Sequence, residues 1–311
     1  MLVTILFLGM IEDIDCAEPS AKNHHMLAIS RLCEATGRRL LSNIHKSPLD
    51  AWIFSELQIP SFNANKSLYC FANPDLSLDT SNFFIDLALN TTRISHFHRL
   101  AKHLTSLKTP QYQSSQRSRL LSAIRQALDI KSEVVKISGS LPPQWMPWET
   151  DDKQQTYRES PFLINCTAVW MACLCSRFNA TLILFFIRFL SCCRALMQLD
   201  HSNGQSTPET LLAERLASFA EAQLRKVTAL VCAMMPYLMG ETDEQGAPHA
   251  VAGQKAAILY RVIWPLAIVH VSPHSTDQEA EDCLRRLNWI QDHLGIKLAS
   301  SVRGVAQDLI A

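Results

Sequence analysis

Apolar residues recur three and four positions apart along most of the second half of the chain. Leu212, Leu216, Phe219, Ala220, Leu224, Val227, Val231 and Met234 form one stripe, with Glu214, Arg215, Ser218, Glu221 and Arg225 opposite. That spacing predicts a helix with one buried face. Thr207-Pro208 supplies a hydroxyl cap and a first-turn proline, and Pro236 and Gly240 end the run. A second stripe, Ala280, Cys283, Leu284, Leu287, Ile290 and Leu294, starts behind Thr276 and Glu279 and stops at Gly295. The threonine and glutamate make a capping box, and the glycine suits a left-handed helix end. Leu298, Val302, Val305 and Leu309 continue as a shorter stripe, while residues 116–136 predict an earlier helix ending at SGSLPP.

Two stretches are apolar without a clear polar side. Residues 162–190 are long enough to cross a bilayer, but Arg177 and Asn179 fall at the centre and Arg188 near the end. A charge at bilayer depth costs about 2.5–3.5 kcal/mol, and a helix apolar all round equally suits the centre of a bundle. The bundle is the expectation, and no membrane contact is assigned. In AAILYRVIWPLAIVHVS, residues 256–272, helical spacing through Ile258, Leu259, Val262, Ile263 and Leu266 crosses Pro265. An interior proline removes a backbone bond and clashes with the preceding turn, at about 3 kcal/mol. A buried helix kinked at Trp264-Pro265 is therefore predicted. Its β-branched residues also suit a strand, which Pro265 would confine to a sheet edge.

The opening MLVTILFLGMIEDIDC lacks a basic start and a small-residue cleavage site, so it reads as a core helix entered part-way along. Residues 58–82 read as a long loop, and 201–206 and 241–253 as polar connections. No internal repeat and no alternation of strands with helices occurs. The fold class expected is all-α, one large multi-helix domain over residues 1–311.

Composition sharpens this picture. Charged residues are 19% against 48% hydrophobic, below the roughly 25% of ordinary soluble domains, which implies an extensive core. Lysine plus arginine equals aspartate plus glutamate at 29, so no net charge draws the chain to a polyanion. Ten cysteines include no C-x-x-C pair, and most lie in apolar stretches, as buried free thiols of a reducing compartment do. The sequons at Asn65, Asn90, Asn165 and Asn179 would matter only in the secretory route.

Catalytic signatures are missing from the sequence. It contains no G-x-G, no Gly-Lys pair, no G-x-S-x-G and no H-E-x-x-H. His96, His98 and His103 form the densest histidine cluster; on a helix His96 and His98 point to opposite sides and cannot share a metal, whereas on a strand they could. A solvated helical face is expected for them. Between Arg93 and Lys136 nine basic residues face only Asp129 and Glu133, the wet side of two helices or a weak contact for an acidic partner. No residue is assigned as catalytic, as a metal ligand or as cofactor-binding, and no cofactor is expected.

Several strings taken in order resemble a known family. They are LVTILFLGMIEDI at 2–14, LPPQWMPW at 141–148, the segment around Trp170 with RFNATLILFF, VCAMMPYLMGE at 231–241, VIWPLAIV at 262–269, and Trp289-Ile290 before Gly295-Ile296. Their order and spacing resemble the C-terminal regulatory, or fungal-specific, domain of fungal binuclear zinc-cluster transcription factors, over nearly the whole chain. The resemblance implies a helical fold around the Trp-Pro-Leu element and control of transcription in the nucleus, often of a metabolic or secondary-metabolite pathway, not catalysis. The family's six-cysteine zinc cluster has no counterpart in these residues. No autonomous sequence-specific DNA binding is therefore expected, and DNA would be reached through a protein partner, a zinc-cluster protein or a second copy of the chain. Family members often carry Trp-Asn and two further arginines in the central helix, where this chain has Cys175-Ser176, Asn179 and Leu182. Other readings are a helical enzyme or small-molecule binder, a membrane protein anchored by 162–190, and a truncated remnant.

Overall fold

Seven helices and no strand account for the described residues of the computed structural model, which are 83–106, 113–140, 166–202, 204, 207–242 and 256–311. The all-α expectation holds. The opening apolar segment, the 58–82 loop, the 141–148 string and most of the 201–206 and 241–253 connections lie outside the described residues. In chain order the helices are α1 (Phe83–Ser106), α2 (Gln113–Ser140), α3 (Cys166–Ser202), α4 (Pro208–Leu238), α5 (Ala256–Val271), α6 (Asp277–Leu294) and α7 (Leu298–Ile310).

The architecture follows from the apolar all-round character of α3. At 37 residues it is about 55 Å long, and α1, α2, α4, α5 and α7 all pack against it. With so many neighbours it is buried on every side from Ala172 to Arg177 and again from Asn179 to Leu190. Its residues Ala172–Ser202 are long and apolar enough to cross a membrane, and most of that stretch is buried inside the fold. Phe185 makes ring contacts with Phe97 of α1 at 5.4 Å and with Phe186 and Phe189 of its own helix at 5.0 and 6.0 Å. Phe186 reaches Phe219 of α4 at 6.3 Å, so aromatic contacts join three helices.

Helix α4 starts as its sequence predicts. The Thr207 hydroxyl accepts from the Thr210 amide, Thr210 answers toward the Thr207 amide, and Pro208 fills the first turn. The buried seam, however, runs through Ala213, Ala217, Ala220, Leu224, Val227, Val231 and Met234. Leu212 was expected on that face and is 52% exposed, with Leu211 beside it at 55%. The alanines explain the correction: their small side chains let the backbones of α3 and α4 approach closely, which fixes the rotation of the helix and turns Leu212 outward.

The Pro265 segment is a helix, not a strand. It continues through the proline, with Trp264 buried and Leu259, Val262, Ile263, Leu266, Ala267, Ile268 and Val269 at most 1% exposed. Helices α3, α4, α6 and α7 pack around it. A run so short and so apolar is helical because four neighbours cover it, and proline is tolerated where packing outweighs one lost backbone bond. The α6 capping box forms as predicted, Thr276 Oγ1 accepting from Glu279 N at 3.2 Å and Glu279 Oε2 from Thr276 N at 2.8 Å. Gly295 closes the helix at φ 68°, in the left-handed region that glycine enters without steric cost.

Candidate functional site

Three polar clusters tie the helices together. The first is buried between α1, α3 and α7. Arg188 of α3 donates through Nη2 to the Leu309 carbonyl at 2.5 Å, and its Nε lies 3.3 Å from His98 Nε2 of α1. His98 Nε2 is also 3.0 Å from the same carbonyl. One ring nitrogen cannot donate to the carbonyl and accept from the guanidinium at once. Arg188 keeps its proton in a protein, so the neutral imidazole accepts from it, and the carbonyl is satisfied by the second guanidinium nitrogen. Burial first, and the Arg188 charge second, hold His98 down at about 3 instead of 6.5. The negative end of the α7 dipole, where Leu309 sits, stands in for a carboxylate opposite the arginine.

His98 is thus not on the solvated face expected for its cluster. His96 and His103 are exposed, while His98 is 1% exposed. Ile94 and Ala101, four before and three after His98, are both buried, and that stripe carries the imidazole inward with it.

The second cluster centres on Asp200, fully buried at the end of α3. It accepts from Arg117 of α2 at 2.8 and 3.3 Å and from the Thr210 hydroxyl at 2.6 Å, with the Thr207 hydroxyl at 3.4 Å. The Arg117 hydrogen bonds, against the opposing effect of burial, hold its carboxyl below the usual range. The α4 cap and the α2 stem are therefore fastened to one anion. Arg117, counted in the basic 93–136 stretch, is committed to this pair and half-buried.

The third lies where α4 ends. Gly240 sits at φ 72°, its amide donating to the Tyr237 carbonyl at 3.0 Å and the Glu241 amide to the Pro236 carbonyl at 2.8 Å. This is a Schellman closure, and it carries the helix two residues past Pro236 before stopping it. Glu241 emerges from it facing Arg286 of α6, which it holds bidentately at 2.9 and 2.8 Å. Burial works against the Arg286 charge, but the Glu241 carboxylate outweighs it and leaves the guanidinium above its ordinary value. Cys232 is half-buried on the same α4, and Cys283 is buried on α6.

Among the described residues, no three histidine, cysteine or acidic side chains are placed to hold a metal. At pH 7 His98 is too weak a base to activate a nucleophile. The Thr181 and Ser191 hydroxyls of α3 bond back to carbonyls of their own helix, at Arg177 and Ile187. Cys175, Ser176, Asn179 and Leu182 are all buried in α3. Ser176 Oγ and Asn179 Nδ2 have no hydrogen-bond partner among the described residues. Asn90 and Asn179, two of the four sequons, are buried within helices where a glycan has no room.

Of these features the Arg188–His98 contact was the least accessible to sequence reasoning, because its partners are 90 residues apart and the group Arg188 also binds, the Leu309 carbonyl, belongs to the backbone. Of the Arg286–Glu241 cluster only the helix end was legible, in the glycine-terminated VCAMMPYLMGE string. No family model, curated protein or solved structure matches the chain.

Proposed function

We propose that this chain is a nuclear transcription regulator, controlling a metabolic or secondary-metabolite pathway through association with a protein partner. The observation that carries the reading is the place of the resembling strings in the fold. VIWPLAIV is the buried centre around which α3, α4, α6 and α7 pack, and PYLMGE is the corner that α6 grips through Arg286. Strings that hold the core together are the ones a regulatory domain of this class would share. Among the described residues, the three polar clusters each join one helix to another. DNA reading is assigned to a zinc cluster outside these 311 residues, on a partner or joined to this chain, because the sequence has no C-x-x-C pair.

Deletion of the gene tests this reading at the level of the cell. Transcripts of a defined gene set should change, while the purified protein consumes none of the intermediates of the pathway those genes encode. Unchanged transcripts together with accumulation of one intermediate would make the chain an enzyme.

A further inference from the structure

Hydroxyls on the inner faces of these helices have a ready local partner. Thr91, Thr181 and Ser191 each donate to the carbonyl four residues earlier, at 2.9, 3.2 and 2.8 Å. Ser176 of α3 and Thr228 of α4 do not take that bond. Their hydroxyl oxygens, and Nδ2 of Asn179 one turn along α3, have no hydrogen-bond partner among the described residues. All three side chains are at most 5% exposed. A polar group left unpaired in so dry a place is costly, and an interior water is the commonest partner that protein atoms do not supply.

The three groups stand at one level of the seam between α3 and α4. These helices make the most extensive contact in the fold, and they run antiparallel. Asp200 with Thr210, Arg194 with Glu221 and Phe186 with Phe219 mark their register. Thr228 lies nine residues beyond Phe219, and nine residues before Phe186 is Arg177, between Ser176 and Asn179. Asn179 is two turns before Phe186, and Thr228 is two turns beyond Glu221. Each therefore occupies the side of its helix that those contacts turn toward the other. Ala172 and Ala180 of α3 and Leu224 and Val231 of α4 flank the level, and all four are buried.

We propose that Ser176, Asn179 and Thr228 hold an ordered water between α3 and α4. Asn179 Nδ2 donates to the water oxygen, one hydroxyl donates to its second lone pair, and a water hydrogen goes to the other hydroxyl oxygen. Three bonds are the usual complement of an interior water. The site gives the apolar α3 a polar register mark on α4. A slide of either helix by one turn, about 5.4 Å, would part the three groups and leave each unpaired again.

A crystal structure of the unsubstituted full chain tests the site directly. A solvent peak within about 3.2 Å of both Asn179 Nδ2 and Thr228 Oγ1 is expected. A dry seam, with Ser176 and Thr228 bonded back to the Ala172 and Leu224 carbonyls, would overturn the proposal. Denaturant unfolding supplies an independent readout. Thr228→Val keeps the shape and deletes one water ligand, so the unfolding constant should rise about fivefold. Asn179→Leu should act in the same direction, and the double variant should fall short of the product of the two, because both residues serve one water. Single variants as stable as the parent, or more stable, would mean that the groups are orphans without a water, and effects that multiply would mean that they do not share one.

Discussion

Stability should fall steeply as pH drops from 7 toward 4, through His98. The unfolded imidazole binds its proton near 6.5, while the folded one resists it down to about 3. Above pH 6.5 the residue is neutral in both states and contributes no pH dependence. Between 6.5 and 3 the unfolded state binds the extra proton, so each step down in pH favours unfolding, and the full window is worth about 5 kcal/mol. Asp200 acts lower, since its depressed carboxyl contributes stability above the usual carboxylate range that is lost only as pH falls through its folded value. The two residues therefore separate by window. Urea unfolding at pH 7, 6, 5 and 4 measures the slope, and His98→Gln should flatten it between 6 and 4. An unchanged slope in the variant would mean that His98 takes up a proton in the folded chain.

Truncation of Trp264 to alanine should cost about 3–5 kcal/mol, as loss of a large buried ring does. The ring is 5% exposed in a helix covered by four others, so the cavity has little loose structure to collapse into it. Denaturant midpoints of the two proteins measure the difference. A variant as stable as its parent would place the indole outside the core and remove the reason for treating the Trp-Pro-Leu element as the centre of the fold.

Local signals survived the passage from sequence to structure best. Thr276 with Glu279, Thr207 with Pro208 and Gly295 each act on backbone groups a few residues away, so their outcome is written within one turn of chain. The apolar runs were legible for the same reason, since α3 and α5 are apolar enough to require neighbours on all sides. Rotation about a helix axis was less so. Leu212 scores as core on a period of three and four, but close approach to α3 selected the alanine side of α4 instead. Nonlocal pairs such as Arg188 with His98, or Arg117 with Asp200, left no trace in the spacing, because they depend on how separate helices cross.

The central claim, a regulatory domain that acts by association, is tested most directly by tethering. The whole chain is fused to an unrelated DNA-binding module and brought to a reporter gene in a fungal nucleus. A change in reporter transcription is predicted, and it should be lost in the Trp264→Ala fusion, whose core is broken. A fusion that is abundant, nuclear and resistant to proteolysis, yet leaves reporters poised for either activation or repression unchanged, would contradict the account.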